Sequence, residues 1–139
     1  MLNMTNYQRR HSEIGEVLSV ISGKLDPQQI ADGGALELCA DVSRLVGMIS
    51  VHFESEDESL YPKLLASGQP GVTETVKKFQ NETGGLKSDV EMFFLKWSSP
   101  IAITEKVGEF VDEGKSIVET LTSRIQREST ELYPLAVNI

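Results

Sequence analysis

The 139-residue sequence predicts an all-α fold, an antiparallel up-down-up-down four-helix bundle. Three observations predict it. Apolar residues recur at steps of three and four, the period of a helix with one buried face. Clusters of Pro, Gly and Ser cut that pattern into four long runs. The second half of the chain weakly repeats the first at an offset of 72 residues, as two copies of one helical hairpin would.

In the first run, His11, Ile14, Leu18, Ile21 and Leu25 share one stripe, which sets a helix over residues 5–25. Asp26-Pro27 ends it, because proline lacks an N–H and its ring clashes with the preceding turn. Gly33-Gly34 sits in the connector. The second run carries Leu38, Val42, Leu45, Ile49, His52 and Glu56, for a helix over 35–66 that stops at Ser67-Gly68-Gln69-Pro70-Gly71. The third carries Val76, Phe79, Thr83, Leu86, Val90, Phe93 and Trp97, for a helix over 73–97 that starts at Thr73. Gly84-Gly85 weakens it by about 1 kcal/mol per glycine, a place where a kink would open a channel. After Ser98-Ser99-Pro100, the fourth carries Ile103, Val107, Phe110, Gly114, Ile117, Leu121, Arg124 and Glu128. Its helix covers 101–132, with Thr104 near its start. Gly114 in this seam points to a close helix approach or to room for a bulky neighbour. Alternating steps of three and four form the seam of helices packed at a shallow angle. Short links make sequential helices antiparallel neighbours. Residues 1–139 make one domain, long enough for one core.

The repeat is clearest in two stretches, His52-Phe-Glu-Ser-Glu-Asp-Glu-Ser-Leu-Tyr-Pro62 and Arg124-Ile-Gln-Arg-Glu-Ser-Thr-Glu-Leu-Tyr-Pro134. The same offset places Tyr7 on Phe79, His11 on Thr83, Ile14 on Leu86, and Val42 on Gly114. A bundle with internal pseudo-twofold symmetry follows.

Thirteen Lys and Arg against 21 Asp and Glu give a formal charge of −8. Nucleic acid and anionic membrane surfaces both require a basic face, so neither is expected as a partner. No apolar run approaches the ~20 residues of a membrane span. The opening MLNMTNYQRRHSEI is polar, without the apolar centre of a secretory leader, and a cytoplasmic protein is expected. The single cysteine, Cys39, lies in a helical apolar run and is expected to be an inert buried thiol.

Six seam positions are polar where the pattern demands apolar residues: His11, His52, Glu56, Thr83, Arg124 and Glu128. A buried charge without a partner costs several kcal/mol, so these residues must pair or coordinate metal. Their levels agree. His11 lies about 14 residues before the end of its helix and His52 about 17 after the start of the next, climbs of roughly 21 and 26 Å. His52 and Glu56 are four apart on one helix face, as are Arg124 and Glu128. Glu54 and Glu58 phase outward as a solvated face, and Asp57 is read with them, with a hydrogen bond near the site as its alternative. Tyr61 and Tyr133 are read as capping the bundle end against the prolines that follow them, with a phenol that reaches a metal-bound ligand as the alternative.

A His on the first helix, then His-Phe-x-x-Glu-Asp-x-x-Leu-Tyr-Pro on the second, with both halves repeated, resembles the hemerythrin (HHE cation-binding) family over nearly the whole chain. The resemblance implies a bundle whose core holds two irons, each bound by two histidines of one hairpin and bridged by carboxylates. Carried over, the first iron takes His11 and His52, and Glu56 and Glu128 are the bridging carboxylates. The second iron requires histidines where this chain has Thr83 and Arg124. Guanidinium stays protonated and offers no lone pair, so Arg124 is no ligand. An intact diiron centre is therefore not expected.

Two outcomes remain open at the level of the sequence. One metal survives on His11, His52, Glu56 and Glu128, a set that suits iron, manganese or zinc. Alternatively no metal binds, and Arg124 replaces its charge through a bidentate bridge to Glu56 or Glu128. The first outcome gives a non-enzymatic module that senses or stores metal, or senses oxygen or redox state, for a protein partner. The second gives a metal-free helical signalling or interaction domain. A third reading is a mononuclear iron oxidase or peroxide-consuming enzyme, which needs open coordination positions and a substrate route.

Overall fold

In the computed structural model, residues 4–137 are described. Four long helices form the frame: α1 (Thr5–Lys24), α2 (Ala35–Ser55), α3 (Pro70–Lys96) and α4 (Val107–Arg127). Helix α1 packs against α2 and α4, and α3 closes the square against the same two helices. Each helix presents its three-and-four stripe inward. The fold is the expected four-helix bundle, and its departures from regularity fall at the links and at one level of the core.

At the first link Asp26 caps a single turn, Pro27–Gln29, by accepting a hydrogen bond from the Gln29 N–H at 3.2 Å. The chain then reverses at Gly33, whose φ of 110° favours a residue without Cβ. Helix α3 begins at Pro70 rather than near Thr73, because proline at the first helical position gives up only an N–H that would be unpaired. Ser99 caps a short helix, Pro100–Glu105, by accepting from the Ala102 N–H at 3.1 Å. A break at Lys106 separates that turn from α4, so Thr104 lies inside the short helix and starts nothing. Gly84-Gly85 lies within an uninterrupted α3, on its exposed side.

The expected second and fourth helices do not run straight to their ends. At Glu56–Leu60 and again at Glu128–Leu132 the helix widens to i→i+5 hydrogen bonding, closed by Tyr61 N–H to the Glu56 carbonyl and by Tyr133 N–H to the Glu128 carbonyl. Both wide turns end next to a proline, Pro62 and Pro134, which cannot donate to the regular ladder and crowds the carbonyl four residues back. The two turns stand 72 residues apart, the repeat offset. So do two ion-pair clusters, Lys24 with Glu37 and Asp41 at 2.8 and 2.7 Å, and Lys96 with Glu109 and Glu113 at 2.6 and 2.7 Å. The duplication is thus visible in three dimensions as well as in the chain.

The interior holds two apolar clusters. One contains Ile14, Leu18, Ile21, Leu38, Val42, Leu45, Trp97, Phe110 and Leu121. The other contains Tyr7, Leu60, Tyr61, Val76, Phe79, Leu132 and Tyr133. Between them along every helix lies one polar layer. Among the described residues, the buried polar side chains are the six picked out by the pattern: His11, His52, Glu56, Thr83, Arg124 and Glu128. Gly114 meets Leu25 so closely that a Cβ built on it would lie 2.9 Å from a Leu25 methyl. Cys39 is half-buried, and burial pushes its thiol up, away from the reactive thiolate. No helix among the described residues is long and apolar enough to cross a membrane.

Candidate metal centre

All four helices contribute to the polar layer. His11 projects from α1, His52 from the last turn of α2, Thr83 from α3 and Arg124 from the end of α4. Glu56 and Glu128 open the two wide turns. Both imidazoles aim the same nitrogen at the same oxygen: His11 Nε2 and His52 Nε2 each lie 2.8 Å from Glu128 Oε1. Glu56 Oε2 stands 3.5 Å from His52 Nε2. One donor atom from each of His11, His52, Glu56 and Glu128 falls within 4.8 Å of the others, and all four residues are buried. His11 is oriented by Ser129, whose Oγ is 2.8 Å from its other ring nitrogen.

A family model for the hemerythrin HHE cation-binding domain matches residues 4–136. The chain belongs to that family. Among curated proteins and solved structures, none matches the chain.

In this hemerythrin domain the two halves of the polar layer differ in kind. On one side stand the two imidazoles. On the other, Arg124 occupies the equivalent place. Its Nε donates to Glu128 Oε2 at 2.7 Å, and its Nη2 donates to Tyr61 Oη at 2.9 Å and Thr83 Oγ1 at 3.0 Å. Its Nη1 reaches the Phe79 carbonyl at 3.2 Å and Glu82 at 3.3 Å. The guanidinium carbon lies 4.7 Å from the Phe79 ring centre and 5.6 Å from that of Phe53. Glu128 therefore bridges, one oxygen to the histidines and one to the arginine. The contact is a single bond through Nε rather than a bidentate fork, because the guanidinium's other nitrogens are taken up by α3 and Tyr61.

The two halves of the layer offer a cation different groups. Two imidazoles and two carboxylates converging in the core are donor types that a metal ion accepts. The other half offers a guanidinium and a threonine hydroxyl that already donates to the Phe79 carbonyl at 2.8 Å. Neither gives a lone pair of the needed kind.

The electrostatics separate the two glutamates. Burial, then the charge of Glu128, pushes the Glu56 carboxyl well above the usual carboxylate range. Burial also acts to raise Glu128, but hydrogen bonds from His11 and His52 and the charges of His52 and Arg124 outweigh it and hold this carboxyl well below that range. One carboxylate charge is thus held by the two imidazoles and the arginine together. At the other, burial and the neighbouring charge disfavour the charged form.

Two residues reach the layer that the sequence reading placed first at the bundle end, with contact to a metal-bound ligand as its alternative. Tyr133 Oη lies 2.7 Å from His11 Nε2, and donates to Glu56 Oε2 at 3.2 Å. Tyr61 Oη stands 3.5 Å from Glu56 Oε1, besides its bond from Arg124. On a regular helix, residues five apart point about 140° away from each other. The wide turns remove most of that angle and swing each phenol onto its glutamate. The signal was present in Glu-x-x-x-Leu-Tyr-Pro, since the proline excludes a regular ladder there. Asp57 belongs to the surface, 2.9 Å from Lys87, and Glu54 and Glu58 are exposed, as their phase predicts.

Proposed function

We propose that this hemerythrin domain holds a single divalent cation on His11, His52, Glu56 and Glu128, with the Arg124 guanidinium in place of a second. The observation that carries the reading is the meeting of two imidazole Nε2 atoms and a carboxylate oxygen at 2.8 Å inside an apolar shell. A bound cation supplies Lewis acidity and, if it is iron, a redox couple. The chain's own residues bind it from three helices, exclude bulk water and tie α1, α2 and the end of α4 together. Occupancy then changes bundle stability, and a protein partner reads that change. The role is to sense or store metal, or to sense oxygen or redox state through it.

Metal analysis tests the reading. Protein expressed in iron-supplemented medium is expected to carry about one transition-metal ion per chain, and a folded His52→Ala variant to carry far less. A second reading has its own observation: His11, His52 and Arg124 already satisfy Glu128 without a metal. Absence of metal from folded protein, in iron-, manganese- and zinc-supplemented growth alike, would leave that metal-free interaction domain in possession.

A further inference from the structure

We infer that Tyr133 is a fifth donor to the cation, its phenolic oxygen binding the same ion as His11, His52, Glu56 and Glu128. The inference rests on the single-cation reading above and adds to it a ligand type and a spectroscopic property.

Position carries it. Tyr133 Oη stands 2.7 Å from His11 Nε2, 3.2 Å from Glu56 Oε2 and 3.5 Å from Glu128 Oε1. Donor atoms that share one small cation at bond lengths near 2.1 Å sit about 3 Å apart when adjacent. The phenolic oxygen keeps that spacing to three of the four other donors. It also stands in hydrogen-bonding contact with His11 Nε2, the nitrogen that the single-cation reading turns toward the ion. The side chain is held in place, since Tyr133 is 4% exposed and its ring packs against Tyr7 and His11.

Charge points the same way. Arg124 and Arg127 share Glu82. With a divalent ion the two arginines bring four positive charges against Glu56, Glu82 and Glu128. A phenolate at Tyr133 supplies the fourth negative charge and leaves the group neutral, which a low-dielectric interior favours. On binding, the Tyr133 O–H bond breaks, the oxygen–metal bond forms from the same electron pair, and the proton leaves to buffer. No electron is gained or lost.

The repeat provides an internal control. Tyr61 occupies the equivalent position in the first hairpin, yet its phenol faces the Arg124 guanidinium at 2.9 Å and is not in hydrogen-bonding contact with an imidazole. The chain has three tyrosines, so Tyr7 completes the set.

The experiment loads the purified protein with Fe(II) without air, removes excess iron, and oxidises with ferricyanide. Iron per chain, the visible spectrum and resonance Raman scattering are recorded for the parent, Tyr133→Phe, Tyr61→Phe and Tyr7→Phe. The parent is expected to bind about one iron and to show an intense visible phenolate-to-iron(III) band with enhanced tyrosine ring modes. Tyr61→Phe and Tyr7→Phe are expected to keep the band and Tyr133→Phe to lose it while retaining iron. If Tyr133→Phe does not fold or takes up no iron, retention of the band in both other variants assigns it to Tyr133 by elimination. Iron bound by the parent without the band, or a band that persists in Tyr133→Phe, overturns this inference and leaves the single-cation reading standing. A parent that binds no iron overturns both.

Discussion

Glu128 receives three donors at 2.7–2.8 Å, from His11, His52 and Arg124, with Tyr133 at 3.5 Å, while Glu56 has only two phenols and an imidazole at 3.2 Å or beyond. Their contributions to stability should differ accordingly. In metal-free protein, Glu128→Gln removes the fully buried carboxylate bonded to the Arg124 guanidinium and is expected to cost about 3–5 kcal/mol. Glu56→Gln replaces a carboxyl already raised toward its neutral form and is expected to cost about 1 kcal/mol or less. Urea unfolding in chelator measures both. The pH signs are opposite. The lowered Glu128 carboxyl stabilises the fold above its unfolded-state value and loses that contribution as pH falls through its folded value. The raised Glu56 carboxyl contributes fully below its unfolded-state value and loses this as pH rises through its folded value. At Arg124 the prediction concerns stoichiometry. Arg124→His puts an imidazole beside Glu128 Oε2 and Tyr61, and metal per chain should rise above the parent's. An unchanged ratio, in protein that still folds, would mean that the second half cannot be rebuilt from this position.

Helices and turns decide which residues can meet. The three-and-four stripe places His52, Glu56, Arg124 and Glu128 without difficulty, because a regular helix fixes residues four apart on one face. It misplaces Tyr61 and Tyr133, because each lies beyond a wide turn that adds a residue to the register. Glycines inside helices make a second contrast. A Cβ on Gly85 would meet nothing within 4 Å, so Gly85→Ala should raise stability by roughly 0.5–1 kcal/mol through helix propensity alone. At Gly114 the same gain is opposed by overpacking against Leu25, which typically costs about 1–3 kcal/mol. Gly114→Ala should therefore be neutral to destabilising, and Gly114→Leu clearly destabilising. Thermal unfolding of the three variants checks this. Equal gains from both alanines would show that Leu25 yields freely.

Across the whole molecule, the polar layer divides the interior into two apolar clusters and joins all four helices at one level. A cation there acts as a crosslink between α1, α2 and the wide turn after α4. A ligand held at 100 times its dissociation constant adds about 2.7 kcal/mol to stability. Removing the metal with a chelator should accordingly lower the melting temperature by several degrees, and restoring it should reverse the loss. His52→Ala protein should be indifferent to the chelator. A parent melting temperature that does not move in chelator, in protein shown to contain metal beforehand, would uncouple the site from the bundle. The repeated ion pairs at Lys24 and Lys96 fix matching corners of the two hairpins, but they lie at the surface and are screened by salt.

By itself the sequence determined the class of fold, the four helical runs and the six polar residues of the core. Periodicity records burial directly, and a charged or polar residue inside an apolar stripe cannot be hidden. The same comparison of halves marked Thr83 and Arg124 as the departures from the family's ligand set. Only the tertiary structure decided that Glu128 rather than Glu56 takes the arginine, that the guanidinium spreads over α3 and Tyr61 instead of forking onto one carboxylate, and that both tyrosines enter the layer. Those outcomes depend on side-chain directions set by wide turns and by contacts between helices far apart in the chain. A repeat of three and four records none of them.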